Sequence, residues 1–396
     1  MPLTERHIQN LKFILMLDDP KFEGVDCIKS QVESWRDISP SKLKVERLSG
    51  LSNEIWKVSS TEDVEPKTVI YRKFGDAGAI CDRERENYII QGLAKKKLSP
   101  PFYGGNKEYR IEKFEKSEPL SPEDVKDKLT RRRIARLLAD LHSLDFPKLD
   151  KTPFFMKILT GHSFIKDFEE KAARDVYSPV EQKFLKEIKE LINEEETSFL
   201  KSIAPKEKES IAFSHNDLHS QNILVLDKDK TFALIDYEYS GYNYRAYDIA
   251  NFFCETMFEY DTAEHPHYIL DESKFPNERD LKDFIRYYLF FGKYTDDEID
   301  LHAALNDDSY RDNQLKENKN MDEFNKEVDQ VYHEVQVCEI FSHYFWCLWA
   351  VVKSHDADIE FDYMHFAYKR LELYQKLKKK LNHQHQKGET LGEAAP

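Results

Sequence analysis

The sequence predicts an α+β protein with two lobes: a small N-terminal lobe on an antiparallel sheet, and a larger, mostly helical C-terminal lobe. Strand-like runs joined by short polar turns fill the first part of the chain, and amphipathic helical patterns dominate the rest. A chain of 396 residues, 40% of them hydrophobic, is long enough for two cores. We predict residues 1–115 and 116–378 as the lobes and 379–396 as a disordered tail.

The N-terminal lobe is predicted from a run of strand patterns interrupted by one helix. An amphipathic helical pattern opens at Thr4 and precedes the strands. The predicted strands are residues 44–48, 54–59, 67–74 and 108–115, and the helix covers residues 82–97, ending before two prolines. The short polar connection at residues 60–66 is typical of a hairpin, so we expect antiparallel pairing.

The C-terminal lobe is predicted from helical periodicity. Helices are expected at residues 131–144, 181–200 and 278–288, where apolar side chains recur at helical spacing. Residues 331–352 are apolar nearly all round, which is typical of a buried helix. The highly charged residues 295–326 predict solvated helix and loop.

Composition excludes several classes of protein. A net charge of −15 argues against a nucleic-acid surface and against attraction to anionic lipid. The five cysteines show no C-x-x-C pairing, which is typical of reduced intracellular thiols. The N-terminus lacks an apolar signal-peptide core, and the apolar run at residues 344–352 is too short to span a bilayer. We therefore expect a cytoplasmic protein without a transmembrane segment.

One stretch, residues 213–248, carries the pattern of a phosphoryl-transfer site. Asp217 and Asn222 stand in the spacing H-x-D-x-x-x-x-N. Asp236 and Glu238 follow directly after an apolar run at residues 231–235. This is the layout of a kinase-type site. H-N-D alone is often a turn and Asp236 alone could cap a strand end, but the ordered combination favours catalysis.

The residue types match the chemistry that such a site performs. A substrate hydroxyl needs a carboxylate base as it attacks the γ-phosphoryl group of ATP, and Asp217 is predicted to be that base. Asn222 and Asp236 supply one neutral and one charged oxygen for Mg²⁺ and leave positions for phosphate and water. His215 is expected to fix the loop rather than to catalyse.

The nucleotide side is predicted from the strands of the N-terminal lobe. Gly50 and Asn53 lie in a strand-turn-strand that either lays backbone N–H groups over phosphates or is an ordinary hairpin. Arg72 stands where a kinase strand carries its phosphate-contacting cation, and Glu86 in the next helix is its expected ion-pair partner. The strand at residues 110–114 would offer backbone groups to an adenine edge.

Five segments together resemble the choline/ethanolamine kinases. They are LSGLSNEIWKV, VIYRKFG, HNDLHSQNIL, LIDYEYSGYNYRAYDIANFFCE and FWCLWAVVKS followed by IEFDYM, and the resemblance runs from about Leu48 to about Leu377. It implies a two-lobed protein-kinase-like fold and ATP- and Mg²⁺-dependent phosphorylation of the choline hydroxyl. The product, phosphocholine, enters phosphatidylcholine synthesis. The resemblance also implies a homodimer.

The resemblance further assigns roles by position. It implies that Glu238 lies behind the metal ligands and that Glu112, Lys113 and Phe114 form the hinge beside adenine. The choline pocket that it implies consists of Tyr239, Glu255, Tyr260, Trp346, Trp349, Glu360, Phe361 and Tyr363.

An aromatic pocket is also consistent with the residues themselves. Trp346 and Trp349 are three positions apart and share a helix face. Such a pair is often core, but Tyr363 and the tyrosines after Asp236 favour a cage. A quaternary ammonium ion has no N–H donor, so it is held by aromatic faces and a nearby carboxylate.

Three positions and the substrate class allow more than one interpretation. His219 stands where choline kinases usually have Gln, Ser49 replaces the first Gly of the nucleotide loop, and Asp248 is either a family position or a helix N-cap. The alternatives to a choline kinase are an ethanolamine kinase, an aminoglycoside-type kinase and an inactive kinase-fold scaffold. The tryptophan pair argues against an aminoglycoside-type kinase, and intact Asp217, Asn222 and Asp236 argue against a scaffold.

Overall fold

The computed structural model describes most of the chain. The described residues are 22–48, 53–75, 82–206, 210–226, 231–260, 262–295, 297–317, 321–354 and 360–386. The predicted helix at Thr4, the predicted phosphate-loop residue Gly50 and the end of the predicted tail, residues 387–396, lie outside them.

The chain divides into two compact units. Unit one comprises the residues up to Glu118 together with Val225–Glu238, and unit two comprises Pro119–Leu224 and the chain from Tyr239 onwards. The sequence placed Val225–Glu238 within the second lobe. In the structure this segment belongs to unit one because the backbone N–H of Leu234 and the hydroxyl of Tyr237 both donate to the Leu98 carbonyl, at 3.0 and 3.1 Å.

The described part of unit one contains a five-stranded antiparallel sheet and two helices. The strands are β1 (Leu43–Leu48), β2 (Asn53–Ser60), β3 (Thr68–Phe74), β4 (Phe102–Gly105) and β5 (Tyr109–Lys113), and the helices are α1 (Val25–Gln31) and α2 (Arg83–Lys95). The strand order is β1-β2-β3-β5-β4. Each strand predicted in this region is present, within a few residues of its predicted bounds.

The two faces of this sheet have different characters because side chains alternate along each strand. One face buries Trp56, Tyr71 and Ile111 in a core with Trp35. On the other face, Arg72 of β3 lies directly opposite Arg110 of β5 in the strand register. The second face therefore holds Arg72 and Arg110, and Arg110 contacts Glu86 of α2.

Unit two is mainly helical. Its helices are α3 (Lys128–His142), α4 (Phe154–Thr160), α5 (His162–Ala172), α6 (Pro179–Lys189), α7 (Glu194–Ile203), α8 (Arg245–Thr256), α9 (Glu278–Lys293), α10 (Leu301–Asn306), α11 (Asp308–Glu317), α12 (Met321–Lys353) and α13 (Tyr363–Gln386). Two short antiparallel pairs join them: β6 (Ile211–Ser214) with β7 (Gly241–Tyr244), and β8 (Phe258–Tyr260) with β9 (Tyr268–Leu270). The described residues also include short strands at Glu118–Pro119, Ile223–Val225 and Phe232–Leu234, the last of which lies in unit one.

Helix α12 is the centre of unit two. It packs against α8, α9 and α13, and its residues from Val337 to Leu348 are almost all buried. By length and apolarity α12 could cross a membrane, but 89% of its most apolar window is buried inside the protein. It is therefore the core helix that the sequence predicts at residues 331–352.

Two details of unit two differ from the sequence-based expectation. The single helix predicted at residues 181–200 is two helices, because the Asn193 side chain accepts a hydrogen bond from Glu196 N and starts α7. The tail predicted from residue 379 is wrong for residues 379–386, which continue α13. Leu381 is buried, so the apolar side of this helix extends past the predicted end.

Candidate active site

The predicted catalytic residues Asp217 and Asn222 lie in one loop that follows β6. The loop leaves the sheet at His215 and passes through Asn216, whose φ of 67° lies in the left-handed region that asparagine tolerates. It ends in a short 3₁₀ turn at Ser220–Asn222. The turn lets the two side chains of the motif approach each other.

The Asp248 carboxylate fixes the start of this loop by hydrogen bonds to its backbone. Its two carboxylate oxygens accept the backbone N–H groups of His215 and Asn216 at 2.7 and 2.8 Å. His142 Nε2 adds a third contact to the same carboxylate at 3.1 Å, and Asp248 is fully buried. Helix α8 begins at Arg245, so Asp248 lies within its first turn and is not the N-cap.

The Asn216 and His215 side chains also form hydrogen bonds that fix the loop. Asn216 Nδ2 donates to the Tyr239 carbonyl at 2.9 Å, and its Oδ1 accepts from Asn243 Nδ2 at 2.8 Å. His215 is fully buried and its Nδ1 accepts from the backbone N–H of Asp217 at 3.3 Å. Asn216, Asn243 and Asp248 were not singled out as loop anchors from the sequence, where a lone asparagine or aspartate carries no distinguishing signal.

Within the loop, Asn222 is bound to the predicted base. Its Nδ2 donates to the Asp217 carbonyl at 2.9 Å and to the Asp217 carboxylate at 3.3 Å. His219 Nε2 lies 4.0 Å from the same carboxylate. Because the amide nitrogen of Asn222 is engaged by Asp217, its oxygen Oδ1 is turned away from the base.

Asn222 and Asp236 carry the types of oxygen that a magnesium ion binds. A hard cation such as Mg²⁺ prefers carboxylate and amide oxygens. Asp236, in unit one, has a φ of 65°, a conformation that is unfavourable for aspartate and concentrates at functional positions. The described residues contain no group of three or more His, Cys, Asp or Glu side chains that could hold a metal.

The predicted ion pair between Arg72 and Glu86 does not form. Glu86 Oε1 accepts from Arg110 at 2.7 Å, and Glu86 Oε2 accepts from Arg83 at 2.8 Å, so both oxygens are engaged. Attraction to these two arginines holds the pKa of Glu86 below its usual value, against the opposing effect of burial. The prediction failed because Arg110 lies opposite Arg72 on the same sheet face, a relation that only the strand register sets.

The remaining predicted nucleotide residues lie along β2 and β5. Glu112 forms an ion pair with Arg110. The backbone N–H groups of Lys113 and Phe114, which a hinge would offer to adenine, donate to the carbonyls of Pro101 and Thr68. Asn53 Oδ1 accepts from the Gly75 N–H at 3.3 Å. These residues therefore lie on or beside one sheet. The backbone N–H groups of Lys113 and Phe114 are already hydrogen-bonded within unit one.

The predicted substrate residues form a connected series of aromatic rings in unit two. Tyr239 and Trp346 have ring centroids 5.9 Å apart, and Trp346 and Trp349 are 5.1 Å apart. The series continues from Trp349 to Tyr363 at 5.9 Å, from Tyr363 to Phe361 at 4.8 Å, and from Phe361 to Tyr260 at 6.2 Å. Neighbouring rings in the series are tilted or edge-to-face. Glu360 is exposed.

The polar ends of these rings are bonded within the protein. Trp346 Nε1 donates to Asn251 Oδ1 at 2.7 Å, and Trp349 Nε1 donates to the Tyr239 hydroxyl at 2.9 Å. Asn251 was missed in the sequence. It is fully buried, and its Nδ2 donates to the carbonyl of Leu218, the residue after Asp217. The Asn251 amide therefore connects the aromatic series to the loop that carries Asp217.

Glu255 is held by two partners. Its Oε2 accepts from the Tyr260 hydroxyl at 2.6 Å, and its Oε1 pairs with Arg370. The Arg370 guanidinium is fully buried between the rings of Phe258 and Phe366, at 4.1 and 4.8 Å from their centroids. The sequence identified Glu255 but not its counter-ion, which comes from a helix more than a hundred residues later.

His343 completes the polar group around Arg370. Burial, reinforced by Arg370, lowers the pKa of His343 well below its usual value, so this imidazole is neutral. Arg370 Nη1 donates to His343 Nδ1 at 3.2 Å, because arginine has only donors to offer. The imidazole Nε2 then carries the proton and faces the Cys254 sulfur at 3.7 Å.

Comparison with known proteins shows one consistent relationship. A family model described as "Choline/ethanolamine kinase" matches residues 45–375. The chain is 29% identical to "Probable choline kinase 2" of Arabidopsis thaliana over 94% of this chain and 95% of that protein. It is 28% identical to "Choline/ethanolamine kinase" of Rattus norvegicus over 86% of this chain and 82% of that protein.

A similar fold is known from crystal structures. The choline kinase of Cryptosporidium parvum superposes with a TM-score of 0.67 at 24% identity, covering 91% of this chain and 96% of that chain. At this identity the likeness establishes the fold, which is the protein-kinase-like α+β fold predicted from the sequence. The names of the relatives include both choline and choline/ethanolamine kinases, so they do not settle which amine alcohol this chain uses.

Proposed function

Because this chain belongs to the choline/ethanolamine kinase family, we propose that it transfers the γ-phosphoryl group of ATP to the hydroxyl of choline. The products would be phosphocholine and ADP, and the reaction would be the first step of phosphatidylcholine synthesis. The observation that carries the proposal is the connection between loop and rings: Asn251 binds Leu218, next to Asp217, and also binds Trp346.

The choice of choline over ethanolamine rests on the chemistry of the ring series. The indole N–H groups of Trp346 and Trp349 and the hydroxyl of Tyr260 are bonded to protein acceptors, so the rings offer chiefly their faces. Aromatic faces attract a quaternary ammonium by cation–π interaction, about 0.5–2 kcal/mol for each contact. The primary ammonium of ethanolamine gains most from hydrogen-bond acceptors, and Glu255 is already paired with Arg370.

In this proposal Asp217 removes the proton from the choline hydroxyl as its oxygen bonds to the γ-phosphorus and the bond to ADP breaks. Asn222 and Asp236 would hold Mg²⁺, which neutralises charge on the phosphates when it is bound. Asp248 and Asn216 keep the loop backbone in place. The Asn222 amide orients the Asp217 carboxylate before substrate arrives, which favours a reactive geometry.

The nucleotide would be bound by residues of unit one. Arg72 is proposed to contact phosphate, because Arg83 and Arg110 occupy Glu86 and leave the Arg72 guanidinium without an ion-pair partner among the described residues. Asn53 would border the phosphates, and Glu112, Lys113 and Phe114 would lie beside adenine. Glu238 would support the segment that carries Asp236. We further propose that the protein acts in the cytoplasm as a homodimer.

The deciding experiment measures Mg²⁺-dependent ATP consumption with choline and with ethanolamine in parallel. We expect consumption with both Mg²⁺ and choline present, and a higher kcat/KM for choline than for ethanolamine. A higher kcat/KM for ethanolamine would replace the proposal with an ethanolamine kinase. If the folded protein binds nucleotide but consumes no ATP with either alcohol, the inactive-scaffold alternative holds.

A further inference from the structure

Three arginines in unit one lie close to the proposed nucleotide residues, and they have different partners. Arg72 and Arg110 are opposite each other on β3 and β5, and Arg83 is the first residue of α2. Arg83 and Arg110 are 7% and 2% exposed, so both charges are inside the protein. A buried charge requires an ion-pair partner, and the distribution of carboxylates decides which arginine stays available.

Glu86 is saturated by two of these arginines. One carboxylate oxygen accepts from Arg110 and the other from Arg83. Arg110 also pairs with Glu112. Among the described residues no hydrogen bond or ion pair to the Arg72 guanidinium is formed, whereas Arg83 and Arg110 are both paired with Glu86. Arg72 on β3 is thus the arginine of the three that the carboxylates leave without an ion pair.

Arg83 connects three further elements of unit one. Its Nη1 lies 3.4 Å from Glu238 Oε2, two residues beyond Asp236. Its Nη2 donates to Asn53 Oδ1 at 3.4 Å, at the start of β2. Its guanidinium also stacks on the Phe74 ring at 4.7 Å from the centroid. One planar side chain therefore links α2, the start of β2 and the segment that carries Asp236.

We infer that Arg83 is a positioning residue for nucleotide binding. Together with Arg110 it occupies Glu86, so that Arg72 stays free for phosphate, and through Glu238 it holds the segment that carries Asp236. The inference rests on the proposed function. Its physical basis is competition: a carboxylate with one oxygen unpaired would attract Arg72, and a paired Arg72 would have to break that pair before binding phosphate.

The test is calorimetric titration of ADP, with and without Mg²⁺, into the full chain and its variants. Arg83→Met should weaken ADP binding about 10- to 100-fold, the range for a lost charge-assisted hydrogen bond. The KM for choline should change less than about twofold, since the ring series lies in unit two. Arg83→Lys keeps the charge but not the planar fork, and it should bind ADP with intermediate affinity.

A double variant separates this role from a purely structural one. In Arg83→Met/Glu86→Gln no carboxylate remains at position 86 to attract Arg72, so ADP should bind more tightly than to Arg83→Met alone. Lys95→Met, an exposed change on the same helix, is the matched control and should bind as the wild type does. Thermal unfolding of every variant establishes that it is folded.

Two results would overturn the inference: wild-type ADP affinity in folded Arg83→Met, or a double variant that binds no better than Arg83→Met. Failure of the proposed function would look different. In that case the wild-type protein itself would bind no ADP, or would bind it without phosphorylating choline or ethanolamine.

Discussion

Asn222 donates its side-chain amide to Asp217 at two places, the backbone carbonyl at 2.9 Å and the carboxylate at 3.3 Å. One amide group thus orients the proposed base while its own oxygen points elsewhere. The spacing of four residues between the two positions makes this contact within a single short turn. The same contact would couple the base to a metal bound at the Asn222 oxygen.

Removal of the proposed base should abolish turnover but not nucleotide binding. We expect Asp217→Ala to lower kcat by about 10²–10⁴-fold, the usual contribution of a general base. ADP affinity, measured by calorimetry, should stay near the wild-type value. Asp175→Ala, at an exposed position in unit two, serves as the control. A near-normal kcat in folded Asp217→Ala would exclude this role.

Asp236 should matter for metal-dependent nucleotide binding. Asp236→Ala should weaken ADP binding when Mg²⁺ is present and have little effect when it is absent, because the lost group is the charged ligand of the cation. The two titrations on one variant control for each other. An equal loss with and without Mg²⁺ would indicate a structural role, and a nucleotide-bound structure with the metal far from Asp236 would remove the assignment.

The ring series should recognise the charge of the substrate. Trp349→Ala should raise the KM for choline about 2- to 30-fold, corresponding to about 0.5–2 kcal/mol for a cation–π contact. The KM for ATP should stay the same. The uncharged carbon analogue 3,3-dimethylbutan-1-ol has the shape of choline without its charge, so its KM should rise less. Equal increases for both alcohols would mean that Trp349 contributes shape only. Trp346→Ala should act in the same direction, but it also breaks the bond to Asn251.

Asp248 should control the geometry of the loop rather than binding. Asp248→Asn replaces one acceptor oxygen by a donor, which then faces a backbone N–H of residue 215 or 216. We expect a lower kcat, with KM values for choline and ATP within about threefold of wild type. The free energy of unfolding should fall by about 1–3 kcal/mol, the cost of an unsatisfied buried polar group. Unchanged kcat in the folded variant would show that the loop holds its geometry without this carboxylate.

Glu339 should make stability depend on pH. Burial raises the pKa of this carboxyl to about 8, and the positive charge of Lys380 only partly opposes the shift. The folded protein therefore retains a proton that the unfolded chain loses near its ordinary pKa of 4.5. It follows that the contribution of Glu339 to stability falls as the pH rises from about 5 through 8 and then levels off.

Glu339→Gln removes this pH dependence because glutamine does not ionise. The free energy of unfolding of Glu339→Gln and of wild type, obtained from melting curves, should differ increasingly from pH 6 to pH 9. The difference should reach more than about 1 kcal/mol, the equivalent of one pKa unit. Lys380→Met tests the minor partner and should lower wild-type stability slightly at pH 9. Parallel melting curves for Glu339→Gln and wild type across this range would contradict the assignment.

The sequence could predict what depends on local periodicity and on spacing along the chain. Strand-like runs joined by short polar turns predicted β1, β2 and β3, and an all-round apolar run predicted the buried part of α12. The H-x-D-x-x-x-x-N spacing placed Asp217 and Asn222 in one turn, because the distance between them in the chain limits their distance in space. The match to residues 45–375 bears out the family that these motifs suggested.

Only the tertiary structure decided which side chains pair across long separations. Glu86 binds Arg83 and Arg110 rather than Arg72, because strand register and the entry of α2 set that geometry. Asp248, Asn251 and Arg370 gain their roles from elements that lie far apart in the chain, and a single buried polar residue leaves no periodic signal. Local propensity and spacing therefore determined the elements and the catalytic turn, whereas packing determined the partners of each buried charge.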